Sequence, residues 1–135
     1  MASGIYNRFK ANLMNKVVDL EADTMKVGLL DNSHSFDSSH TTWANVSTNE
    51  LAQTGGYVTG GMTLSSPSVT EAYATKFDAE DTAWTSATFS AYHAVIYDTT
   101  ASDNLICSFD FGGVQTVSSG TFTIQWNASG IITLT

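Results

Sequence analysis

The chain has almost no disulfide chemistry, almost no proline and little charge. A single cysteine, Cys107, cannot form an intrachain disulfide, so stability must come from burial. It lies inside the apolar run LICSFDF and reads as a small buried hydrophobe rather than a nucleophile. The only proline, Pro67, separates two strand-like segments. Charged residues make up 13% of the chain against 42% hydrophobic ones. That is too apolar for a disordered polymer and poor in charge for a small domain. The polar surface must come from Thr, Ser and Asn, which suits a protein packed against neighbours.

Basic residues are scarce: 5 against 13 acidic ones, for a net charge of −8. This balance disfavours nucleic acid and anionic membranes as partners. No run approaches the ~20 apolar residues of a spanning helix. MASGIYNRFK has no apolar signal core, so no secretion is expected, and the sequons at Asn45 and Asn127 read as chance matches. GxSxG, Walker, GxGxxG and HExxH motifs are missing as well.

What is present is mostly β pattern. At 135 residues one domain is expected, spanning 1–135 and burying roughly two-thirds of its unfolded surface. Residues 1–18 predict one amphipathic helix, capped by Ser3, with Ile5, Phe9 and Leu13 along a stripe widened by Tyr6, Met14 and Val17. Asn7, Arg8, Asn12 and Asn15 fall on its polar side. Residues 24–135 then predict about seven or eight short strands. TMKVGLL reads as a strand with Met25, Val27 and Leu29 on one side and Lys26 and Gly28 on the other, and TWANVSTNEL as a short helical turn. In LICSFDF, Leu105, Cys107, Phe109 and Phe111 point one way, until Gly112 and Gly113 break the strand. In TFTIQWN, Phe122, Ile124 and Trp126 point inward. Regular spacing of this kind predicts a mainly β fold, an antiparallel sandwich of jelly-roll type with one N-terminal helix. The closing IITLT is an edge open to another subunit unless it pairs internally.

Three constellations invite a chemical reading. DNSHSFDSSH sets Asp31, His34, Asp37 and His40 three apart, a set able to ligate a divalent cation if it were helical. Its serines and lack of apolar period predict a solvated loop instead. Asp78, Glu80 and Asp81 resemble a calcium loop but lack the DxDxDG ladder. His93 lies in a strand and reads as a packing residue. No catalytic residue, metal or cofactor is expected. Trp43, Trp84, Trp126 and the tyrosines raise sugar stacking as an alternative, with Trp43 and Tyr57 nearest to loops.

IYNRFKANLMN followed by DLEADTMKVGLLDNSHSF, then FDAEDTAW…TFSAYHAVIYD and GTFTIQWNASGIITL, resemble the small virion structural proteins of tailed bacteriophages. The resemblance covers nearly the whole chain and is closest to capsid cement or decoration proteins. It implies a non-enzymatic protein on the outer face of a capsid shell, bound to the major capsid protein, as a homo-oligomer, a dimer or trimer. It would be found in the host cytoplasm during assembly. A tail, adaptor or head-fibre component, or a carbohydrate-binding module on the virion, is the alternative. Contact with capsid or subunit is expected from Ile5, Phe9, Leu13, Phe36, Trp43 and Tyr57.

Overall fold

A computed structural model describes residues 3–135. The fold is mainly β, 45% strand and 11% helical, with antiparallel sheets and one α-helix near the N-terminus. The strands are β1 (Gly4–Ile5), β2 (Met25–Leu30), β3 (Met62–Thr63), β4 (Ser68–Thr70), β5 (Thr75–Asp78), β6 (Thr82–Asp98), β7 (Asn104–Ile124) and β8 (Ile132–Leu134). The helix α1 spans Asn7–Met14. One sheet has five strands in the order β1-β7-β6-β2-β3, the other three in the order β4-β5-β8. A jelly roll divides eight strands into two Greek keys. Here the large sheet grows instead from one long hairpin.

That hairpin pairs the 17 residues of β6 with the 21 of β7. The segments predicted as separate short strands are therefore continuous. Gly112 and Gly113 do not end β7: at φ 77° and 154° they form a bulge between the pairs His93–Asp110 and Ala91–Gln115. Glycine reaches such angles without the Cβ clash that excludes other residues, so the strand bends and continues.

Two apolar clusters form on opposite sides of the central strands. Val27 and Leu29 of β2, Ala94 and Ile96 of β6 and Ile106 and Cys107 of β7 join the main cluster, together with Phe77 of β5. Tyr6, Leu30, Val46, Val95, Tyr97 and Leu105 form the smaller one. Strands covered on both faces lose the inside–outside alternation. A register irregularity between Ile96 and Tyr97 separates Leu105 from Cys107, so the single inward face expected of LICSFDF is divided. Gly28 faces away from the cluster that holds Met25, Val27 and Leu29, as the strand period predicts, and is buried there: any side chain would collide with the Trp43 ring. TFTIQWN does alternate as expected, with Ile124 and Trp126 buried and Thr123 and Gln125 exposed.

The N-terminal segment departs from its expectation. Ile5 lies in β1 opposite Cys107, and α1 begins only after Tyr6. Ser3 does not cap it; its Oγ accepts the Asp110 amide at 2.9 Å. Asn12, expected on the polar side, is buried. The helix ends in a Schellman turn: Lys16 sits at φ 60° and the Val17 amide donates to the Asn12 carbonyl at 2.9 Å. TWANVSTNEL does form short helical turns, at Trp43–Asn45 and Ser47–Asn49.

The β6–β7 connection is closed by Asp98. Its Oδ1 accepts the Thr100 and Ala101 amides at 3.0 and 3.2 Å. Burial, and then the Asp23 carboxyl beside it, push its pKa up to about 7. The folded state thus binds this proton more tightly than the unfolded chain, whose value is 3.8. The contribution is complete below the unfolded value and is lost as pH rises through 7.

Two outcomes are expected. Gly28→Ala forces the Trp43 ring off its seat and lowers unfolding free energy by about 1–3 kcal/mol in urea titration. Asp98→Asn keeps the two amide bonds and removes the titration. Its stability relative to wild type therefore improves between pH 4 and 7, by no more than about 1.4 kcal/mol per pH unit.

A candidate docking cleft between the helix and the small sheet

The Schellman turn directs the chain after α1 along the small sheet and leaves a cleft of about 640 Å³ between them. Ile5, Phe9, Leu13 and Val17 form one wall, Val69 of β4 and Phe77 of β5 the other, with Ile132 and Leu134 of β8. Phe9 and Phe77 are buried at its base. Leu13, Val17, Val69 and Leu134 are 39%, 48%, 38% and 64% exposed, although an apolar side chain gains about 1.5–3 kcal/mol by full burial. Met14, 88% exposed, adjoins them in sequence. Clustered exposed apolar residues of this kind mark interaction surfaces, whereas scattered ones do not.

Charge at the cleft is asymmetric. Lys10, Lys16 and Lys76 line it with Asp19 and Asp23. Asp19 is engaged by the Glu21 and Ala22 amides at 3.1 and 3.0 Å, and Asp23 by the Asp19 amide at 3.0 Å. Lys76 donates to the Ala128 carbonyl at 3.0 Å and lies 3.9 Å from Asp78. The Lys10 and Lys16 ammonium groups have no hydrogen-bond or ion-pair partner among the described residues. The cleft therefore offers an apolar floor with two uncommitted ammonium groups, suited to an apolar segment that carries carboxylates.

The six expected contact residues separate into three groups. Ile5, Phe9 and Leu13 meet in the cleft. Phe36 and Trp43 pack with the smaller cluster: Phe36 covers Gly4 and stands 5.0 Å from the Tyr6 ring, and Trp43 stacks on Tyr97 at 4.4 Å. Tyr57 is a correction. It is 1% exposed, its hydroxyl donating to Glu50 Oε2 at 2.6 Å and accepting the Leu29 amide at 3.1 Å, so it fixes a loop from within and is not presented at the surface. Trp84 and Trp126 are buried too, which leaves Trp43 the only tryptophan near the surface, with one ring face taken by Tyr97. Val69, Phe77, Ile132 and Leu134 were not singled out by sequence. Their alternation within SVTEAYATKFD and IITLT was the available signal, but nothing local set those strands opposite the helix.

The DNSHSFDSSH loop is built as its serines predict. Asp31 Oδ1 accepts the Ser33 amide at 2.8 Å, and Asp37 Oδ1 the Ser39 amide at 2.9 Å and hydroxyl at 2.6 Å. His40 Nε2 lies 3.9 Å from Asp37 Oδ2. His34 turns inward and meets His93 edge-on at 4.9 Å, while His93 lies 3.9 Å from Asp110. Among the described residues no three His, Cys, Asp or Glu side chains converge. Cys107 is fully buried, and burial pushes its thiol far up.

Burial, then His93 and His40, lower the His34 pKa from 6.5 to about 4. The fold therefore holds this ring neutral. Its contribution is complete above the unfolded value and is lost as pH falls towards 4. Comparison with protein-family profiles, curated proteins and solved structures finds no match.

Replacing the ring in His34→Phe removes this proton uptake. The variant's stability relative to wild type is expected to rise as pH falls from 6.5 to 4 and to stay constant above 7, as read by denaturant titration at each pH.

Proposed function

We propose that this chain is a non-enzymatic virion structural protein of a tailed bacteriophage. It docks on the outer face of the capsid shell as a cement or decoration protein, with the major capsid protein as its partner. One observation carries the docking part of the reading: the cleft between α1 and the small sheet leaves Leu13, Val17, Val69 and Leu134 exposed beside the unpartnered Lys10 and Lys16. The capsid part is supported by the sequence resemblance. A tail, adaptor or head-fibre position fits the same cleft and differs only in location on the particle.

The physical logic is that of buried area. A contact of ~1,600 Å² spans micromolar to picomolar affinity, according to its anchors and preorganisation. Repetition on a lattice adds multivalent gain without new contacts. A rigid β body with a preformed cleft loses little conformational entropy on docking.

The test is co-sedimentation of the purified protein with shells of its own particle. Saturable binding is expected, and Leu13→Glu with Val17→Glu is expected to weaken it at least about tenfold, some 1.4 kcal/mol, by placing carboxylates in the apolar floor. Both side chains are exposed, so folding is kept. Deleting the first turns would also remove the buried Tyr6 and Phe9 and is a poorer probe. Failure to co-sediment with shells, or unchanged binding by the double variant, overturns the reading.

A further inference from the structure

The outer edge of β7 is long and unpaired. β1 covers only Cys107 and Ser108, and from Val114 to Ile124 no backbone partner lies on that side among the described residues. The same stretch is without charge. From Phe111 to Thr135 the chain carries no Asp, Glu, Lys or Arg, and from Thr82 to Tyr97 the facing strand β6 carries none either. Exposed edges are ordinarily guarded by lysines, prolines or inward-pointing charges, because a row of free N–H and C=O groups recruits other strands. This edge has none of those guards and is rich in Thr, Val and Phe, which favour strands.

We propose that two copies of this chain join through this edge, β7 against β7, into one continuous sheet about a two-fold axis. The edge itself argues for a second copy as the occupant. Each copy carries −8, and this stretch, without charge, is where two copies can meet without setting like charges against each other. A strand edge is self-complementary in antiparallel pairing, and a two-fold axis supplies that arrangement. Phe111 and Phe122, 6.1 Å apart and both half-buried, flank a hollow of about 280 Å³ with Gln115 at the same edge. They are the aromatic anchors that such a contact would desolvate.

The bulges restrict how far the pairing runs. Ser119 at φ 49° and the Gly112–Gly113 kink leave two regular stretches, Gln115–Val117 and Phe122–Ile124. A two-fold contact consumes this edge in both copies, so the pair closes instead of growing along it. This surface is separate from the docking cleft, and either reading can fail alone.

Sedimentation equilibrium from about 1 to about 100 µM, a range that brackets micromolar association, reads the first outcome. The mass is expected to rise from 14.4 kDa towards twice that value. Val114→Lys with Thr121→Lys, both at exposed positions, is expected to weaken association at least about tenfold by setting like charges across the axis. Leu13→Glu with Val17→Glu is expected to leave it intact. Hydrogen exchange on the unmodified protein reads the edge directly: amides between Val114 and Ile124 gain protection as concentration rises. A mass constant at 14.4 kDa across the range, association unaffected by the lysines, or added protection confined to other segments overturns the proposal. Should the lysine variant not fold, the exchange measurement decides.

Discussion

The antiparallel pairing of β6 with β7 is the constraint on which the remaining structure depends. The other strands of the large sheet are built outward from this hairpin: β2 on β6 through Met25–Leu30, β3 on β2, and β1 on β7 through Gly4–Ile5. Its far end is held by aromatic packing. Trp84 and Phe89 of β6 meet Phe122 of β7 at 6.0 and 5.2 Å, and Tyr57 closes against Trp84 and Phe89 at 6.4 and 6.1 Å. Such pairs add about 0.5–1.5 kcal/mol each beyond the area they bury. The Tyr57 hydroxyl then ties this packing to Glu50, whose carboxylate also accepts the Gly60 amide at 2.7 Å. A residue that reads as a loop-borne contact is thereby a keystone of the core.

Period-two patterning was legible where a strand has one wet face. Ile124 and Trp126 alternate with Thr123 and Gln125 because one side of that segment faces water. It was not legible where both faces are covered. Val95 and Ile96 are each fully buried, in different clusters, and adjacent buried positions erase the period. Strand length was hidden for another reason. Glycine and serine act as punctuation in most contexts, yet here Gly112, Gly113, Ser86 and Ser119 take positive φ inside a continuous ladder. A bulge and a turn draw on the same residues, and only the partner strand distinguishes them.

The helix shows the same division. Its apolar stripe was readable, and Ile5, Phe9 and Leu13 do meet at one site. The opposing wall was not readable, because Val69, Phe77, Ile132 and Leu134 are brought there by pairing between β4, β5 and β8, which are far apart in sequence. Lys16 completes the arrangement. A lysine at φ 60° costs about 1–2 kcal/mol relative to a right-handed residue. The Schellman bond from Val17 to Asn12 offsets part of that cost and turns Val17 into the cleft.

The acidic balance has a structural origin that alters how the net charge is read. Asp19, Asp23, Asp31, Asp37, Asp78, Asp81, Asp98 and Asp110 each accept a backbone amide, in most cases within a few residues. Glu21 and Glu50 accept the Val69 and Gly60 amides. These carboxylates satisfy turns and strand ends that a chain nearly without proline must stabilise by hydrogen bonds. Most of the carboxylates behind the −8 therefore have local structural work in these connections while keeping their charge. The consequence appears where carboxylates are missing or engaged. At the cleft, Lys10 and Lys16 are left without acidic partners among the described residues. Along β7 beyond Asp110, from Phe111 onward, there is no charge at all. Both places are bordered by apolar side chains that the fold leaves only partly covered.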